Sequence, residues 1–162
     1  MIKYLTFSLS IAFISWIVGM LITALLSKTN LYNNRLSRLN FIPDEKFNEL
    51  IGLSLFKWII MNSFFKYFNP KLSIRKQIVV GELQAYRSEM TKAELGHNFA
   101  FLFMTVFVLM KVFQGLHIFV LVMLVVNILM NLYPSLLQQQ NKRRIDRYLR
   151  AINQRTKTFF LS

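Results

Sequence analysis

Two runs of 22 residues without a formal charge, Leu5 to Leu26 and Leu116 to Leu137, constrain this chain more than any other feature. A helix of that length crosses a hydrocarbon core of ~30 Å. A third run, Ala93 to Met110, is 18 residues long and strongly apolar after its first turn. A chain so patterned has few soluble folds open to it. Composition agrees: 54% of the residues are hydrophobic and only 17% charged, against roughly 25% charged in ordinary soluble domains. Cys is absent, which excludes disulfides, thiolate metal sites and a Cys nucleophile. Five Gly and three Pro are too few for a Gly-rich phosphate loop or a fibrous protein.

The expected fold class is therefore all-α. It is a small integral membrane protein with about three transmembrane helices, at 5–26, 93–110 and 116–137, forming a single membrane domain over 1–162. For the first run a secretory signal peptide competes with a retained span. A signal's apolar region is shorter, ~7–15 residues, and ends at a small-residue cleavage site. Ala24-Leu25-Leu26-Ser27 matches such a site poorly.

Residues 27–92 are expected to be cytosolic or interfacial. Ser27 to Asn48 is polar and reads as a loop. Pro43-Asp44-Glu45 reads as a helix start, with Pro in the first turn and acids near the positive end of the dipole. From Leu50 to Phe68, Phe56, Trp58, Phe64, Phe65, Tyr67 and Phe68 alternate with Lys57, Asn62 and Lys66. This reads as an amphipathic helix lying in the interface, or as a core helix under other cytosolic segments. Asn69-Pro70 ends it. Lys71 to Lys92 reads as loop, then helix, and 138–162 as a basic tail.

The net charge of +13 is distributed unevenly. Eleven Lys and Arg lie between Lys28 and Lys92, and seven follow Leu137; only Lys3 and Lys111 fall elsewhere. Cations near helix ends mark the cytoplasmic side. Both blocks then lie in the cytoplasm, with a hairpin turn at Lys111–Gly115 outside, the N-terminus out and the C-terminus in. The location expected is a bacterial cell membrane. Basic charge that orients spans and meets anionic headgroups needs no nucleic-acid partner.

Glu94 and His97 are the sharpest chemical feature. Three residues apart, they share a helix face, with His97 ~4.5 Å deeper into the second span. Ionisable groups within a span are costly and point to function. At headgroup depth they would merely flank the span. One Glu-x-x-His and two His in all do not make a di-iron site, and no metal site is expected. His117 sits alone at the hairpin. The third span carries Asn127, Asn131, Gln138 and Asn141 on one α-helical face, with Pro134 in the same stripe. Amides inside hydrocarbon are hydrogen-bonded within the bundle or line a polar cavity. Pro134 removes the amide hydrogen that would bind the Met130 carbonyl and kinks the helix. The stripe runs into Arg143, Arg144 and Arg147, whose guanidinium groups grip phosphate or carboxylate in pairs of hydrogen bonds.

Taken in order, Ile42-Pro43-Asp44 with Phe47, Phe56-Lys57-Trp58, Ala93-Glu94-Leu95-Gly96-His97, Asn127 with Asn131, Tyr133-Pro134, Gln138 and Asn141 to Arg144 resemble the glycosyl-4,4'-diaponeurosporenoate acyltransferase family of staphyloxanthin biosynthesis. The resemblance covers roughly Phe41 to Leu149. Here Gln139 and Gln140 stand where the family has Arg-Tyr, and Lys142 separates Asn141 from Arg143. The resemblance implies a membrane enzyme that esterifies a fatty acyl group onto the sugar hydroxyl of a glycosylated carotenoid or related glycolipid. It needs no cofactor; an acyl donor such as acyl-CoA or acyl carrier protein is the co-substrate.

For such a reaction His97 suits a general base and Glu94 its orienting partner. Asn127 and Asn131 suit donors to the oxyanion, and Gln138, Asn141, Arg143, Arg144 and Arg147 suit substrate binding. Two other classes remain open: a non-enzymatic scaffold of a lipid-synthesis complex, with Glu94 and His97 facing headgroups, and a small transporter. Convergence of polar groups in one place would favour a site.

Overall fold

The computed structural model describes residues 1–38, 52–62 and 80–161, the side chains of 38, 80 and 155–161 excepted. The expected helix start at Pro43-Asp44-Glu45 and the helix end at Asn69-Pro70 lie outside these residues. The order is α1 (Ile2–Leu26), α2 (Asn30–Asn34), a 3-10 turn (Leu36–Arg38), α3 (Leu53–Asn62), α4 (Val80–Phe113), α5 (His117–Asn127), a π-helical turn (Ile128–Leu132) and α6 (Tyr133–Leu161). Among the described residues there is no strand. Among the described residues, three helical stretches are long and apolar enough to cross a membrane: Ile2–Leu26, Gly81–Phe113 and His117–Gln154.

The chain divides into two compact units. The first comprises Met1–Leu39 and Lys92–Leu136, the second Asn40–Thr91 and Leu137–Ser162. In the first, α1 buries a stripe that is mostly small, Ser8, Ile11, Ala12, Ser15, Gly19 and Thr23. Its large apolar side chains, among them Phe13, Ile17, Met20, Leu21 and Leu25, are exposed. Lipid tails are as apolar as Leu, so burial of large side chains does not drive association in a membrane. Small residues that let backbones approach do so instead. At Gly19 any Cβ would overlap the Gly96 carbonyl oxygen of α4. Two buried hydroxyls of α1 fold back onto their own helix, Ser8 Oγ to the Tyr4 carbonyl (2.7 Å) and Ser15 Oγ to that of Ala12 (2.7 Å). This satisfies them without water.

Deeper packing joins Ile11 and Ala12 of α1, Met104 and Val108 of α4, and Phe119, Met123 and Val126 of α5. Helix α4 ends in a Schellman motif: Leu116 N donates to the Lys111 carbonyl and Gly115 N to that of Val112. Gly115, at φ +70°, takes the left-handed position that motif requires. Lys111 ties off the hairpin, donating to Gln114 Oε1 (2.9 Å) and lying 5.2 Å from the centre of the Phe119 ring.

In the second unit Leu83 and Met90 of α4 pack on Ile145 of α6, with Tyr86, Leu149 and Ile152 beside them. Arg87 and Asp146 pair through two hydrogen bonds, 2.5 and 3.3 Å long. On α3 Leu53 is buried, whereas Leu55, Trp58 and Ile59 are exposed. Burial, and then the nearby Arg144 charge, lower the pKa of Lys57.

The helix that carries the second apolar run begins no later than Val80, so the helix expected within Lys71 to Lys92 runs on into it. The basic tail is helical to Leu161. One reading differs from expectation. The segment read as loop after Ser27 contains α2, capped by Thr29, whose Oγ1 accepts from Tyr32 N (3.4 Å).

Candidate functional site

A ladder of polar side chains lies inside the apolar first unit. Asn127 Nδ2 donates to the Phe101 carbonyl and to Thr105 Oγ1, both at 3.2 Å. Asn131 Nδ2 donates to Asn127 Oδ1 (2.9 Å) and Ser15 Oγ (3.3 Å), with the Met104 sulfur at 3.9 Å. Ser135 Oγ donates to Asn98 Oδ1 (2.6 Å) and lies 3.4 Å from the Glu94 carbonyl oxygen. Asn127, Asn131 and Ser135 thus run along α4 from Thr105 to Glu94. Both Asn side chains are fully buried. Their N–H groups are committed to interhelical bonds, so in this structure they hold helices together and are not turned to an oxyanion.

Pro134 acts as its chemistry dictates, and the structure supplies the missing partner. The Met130 carbonyl, deprived of a hydrogen bond by the Pro134 ring, accepts from Trp16 Nε1 at 3.1 Å. The strain is taken up by the π turn at Ile128–Leu132. A π turn adds one residue to the helical register. Downstream of it Gln139 is 1% exposed, whereas Gln138, expected from an uninterrupted α period, is only half-buried.

Trp16 also reaches the second chemical feature. Its ring meets that of His97 edge-on, centroids 6.1 Å apart at 88°. Glu94, one turn away, is 1% exposed and so is covered by protein. By helical geometry it lies between His97, which faces α1, and Asn98, which faces Ser135. His97 Nδ1 is buried and makes no hydrogen bond among the described residues. Thr23 Oγ1, on the same side of α1 as Gly19, is likewise buried without a partner among them.

In the second unit Asn141 and Lys142 are buried with Gln139. Among the described residues, neither amide atom of Gln139 nor the Nδ2 of Asn141 has a hydrogen-bond partner. Arg143 is half-buried, and Arg144 and Arg147 are exposed. No group of three or more His, Asp or Glu among the described residues is placed to hold a metal ion.

The sequence profile described as glycosyl-4,4'-diaponeurosporenoate acyltransferase matches residues 28–151. The chain belongs to that family. No curated protein and no solved structure matches it. The region of the family match holds every candidate residue from Glu94 to Arg147, but α1 precedes it. Ser15 and Trp16, which complete the ladder and meet His97, therefore lie outside the family region.

Sequence reasoning missed Ser15, Trp16, Asn98, Thr105, Ser135 and Gln139. Ser135 was accessible as the next step of four after Asn127 and Asn131. Trp16 carried no signal, because its partner is 114 residues away.

Proposed function

We propose that the chain is a multi-pass membrane O-acyltransferase that esterifies a fatty acyl group onto a sugar hydroxyl of a glycosylated carotenoid or related glycolipid. The observation that carries this reading is His97. In a chain of an acyltransferase family, it is an imidazole set within an apolar span, braced by Trp16, with one ring nitrogen uncommitted.

Acyl transfer to an alcohol needs a base at the moment of attack. In this reading the sugar hydroxyl oxygen attacks the carbonyl carbon of an acyl thioester while His97 takes the hydroxyl proton. A tetrahedral oxyanion forms, the C–S bond breaks, and the imidazolium returns the proton to the departing sulfur. The products are an ester and a free thiol, with His97 neutral again. Glu94 is a positioning residue: a buried carboxyl one turn away that steadies the imidazolium. Asn127 and Asn131 hold α4 against its neighbours and so fix the depth and direction of His97. The donor is an acyl-CoA or acyl carrier protein, whose phosphates Arg143, Arg144 and Arg147 hold. Exposure of Arg144 and Arg147 supports that role, because a water-soluble donor must reach them.

The membrane is a bacterial cell membrane, with the two cationic blocks in the cytoplasm and the Gln114–Gly115 turn outside. Helix α3, with Leu55, Trp58 and Ile59 exposed, lies along its surface. The reading is tested by extracting lipids and pigments from cells with and without the gene and comparing masses. A species heavier by one fatty acyl group, present only with the gene, is expected. Identical extracts would overturn the reading.

A further inference from the structure

A histidine that works as a base must keep one nitrogen aimed at its substrate. The torsion that turns an imidazole about its Cβ–Cγ bond is broad, so the backbone of α4 does not set the plane of the His97 ring. An imidazole is commonly held by a hydrogen bond at the nitrogen that does no chemistry. His97 Nδ1 makes none among the described residues. The ring meets Trp16 instead: the two stand edge-on at 88°, centroids 6.1 Å apart, within the range where such aromatic pairs attract.

Trp16 is itself out of its usual place. It lies near the middle of α1 (Ile2–Leu26), whereas Trp collects at the two membrane surfaces, where its N–H finds water. Within hydrocarbon an indole N–H has to bond to protein. A Phe or Leu would pack at this position without that demand. The N–H is met by the Met130 carbonyl at 3.1 Å, which is open to it because Pro134 brings no N–H of its own. Anchored at Nε1, the indole cannot turn about its side-chain bonds without breaking that bond. The Phe13 ring packs edge-on against it, centroids 5.1 Å apart. Phe13, Trp16, His97, Met130 and Pro134 all belong to the first unit.

We propose that Trp16 is a positioning residue: held by the Met130 carbonyl that Pro134 leaves open, its indole fixes the ring plane of His97. This rests on the proposed role of His97 as base and gives that role its geometry. No proton moves and no bond changes at Trp16. A base aimed in advance avoids the loss that follows from poor placement, where a misplacement of about 1 Å can cost about a hundredfold in rate. The proline and the π turn then serve the site as well as the fold. Helix α1, which precedes the region of the family match, supplies part of the site.

The test uses the full chain in detergent micelles, with its histidines labelled with ¹³C at the ring. The chain has two His, and His117 is exposed at the hairpin, so each gives its own signal and His97→Ala assigns them. Pro134→Ala supplies the Met130 carbonyl with an intrahelical donor and releases the indole. It should move the His97 signal and leave that of His117 in place. In a chain that also carries Trp16→Phe, Pro134→Ala should leave the His97 signal where Trp16→Phe alone puts it. Far-UV circular dichroism checks that each variant keeps its helix. In cells, Trp16→Phe should lower the ester by about 10–100-fold at equal inserted protein.

The proposal is overturned if the His97 signal ignores Pro134→Ala, if the shift persists in full beside Trp16→Phe, or if Trp16→Phe forms ester at the natural level. Ring signals are read without donor or acceptor, so failure here is separable from failure of the activity. A chain that shows the coupling but forms no ester overturns only the enzyme reading.

Discussion

Replacing Trp16 by Phe removes the indole hydrogen bond to the Met130 carbonyl, which Pro134 leaves without its α-helical donor. The ring stays aromatic, so most of the packing against Phe13 remains. A carbonyl orphaned inside protein costs about 1–2 kcal/mol. The natural control is Pro134→Ala, which restores an N–H four residues after Met130 and gives that carbonyl an intrahelical partner. Trp16→Phe should therefore cost about 1–2 kcal/mol in the natural chain and well under half of that beside Pro134→Ala. Unfolding in mixed micelles of rising dodecyl sulfate fraction, followed by helix circular dichroism, reads both values. Equal costs in the two backgrounds would show that the Trp16 indole and the Pro134 ring are not linked through Met130, and the account of the π turn would fail.

Three further outcomes follow from the same packing. Asn131→Leu removes donors to Ser15 and Asn127 and should destabilise by about 1–2 kcal/mol in the same unfolding assay, as interhelical bonds in membranes do; no change would remove the ladder from the account. Gly19→Val presses a side chain onto the Gly96 carbonyl and should cost about 1–3 kcal/mol, whereas Gly81→Ala, with open space around it, should cost nothing or stabilise the helix. Because the chain has no Cys, a single introduced Cys reports its own position. At Gln114 it should react with an impermeant maleimide on intact cells, and at Ser37 or Gln84 only after permeabilisation; the reverse pattern would invert the topology.

The spans could be read from the sequence because absence of charge over a membrane's thickness is a one-dimensional property. The break at Pro134 was equally local. What the freed carbonyl bonds to was not, since Trp16 is distant in the chain and nothing in its neighbours marks it. The register beyond the break was lost for a related reason. Counting at 100° per residue places Gln138 inward, but the π turn shifts burial to Gln139, and no local residue announces the shift. On α1 the inward face was hidden because both faces are apolar; only the recurrence of Ser8, Ala12, Ser15, Gly19 and Thr23 betrays it. The basic tail was read by charge alone. Leu137, Ile145, Leu149 and Ile152, spaced near multiples of four, carried the helical pattern that the seven cations obscured. Glu94 and His97 share a helix face by spacing, yet spacing could not say that His97 turns toward Trp16 while Nδ1 has no bond among the described residues.

The central claim is that His97 moves the proton in an acyl transfer. The direct measurement is acyl-ester formation in cells carrying His97→Ala, with membrane insertion checked by blotting and the ester product quantified by mass spectrometry against the natural chain. Loss of a well-placed general base lowers a rate by about 10²–10⁴-fold, so the product should fall below about one hundredth of the natural level at equal protein. Near-full ester formation by a normally inserted His97→Ala chain would contradict the account.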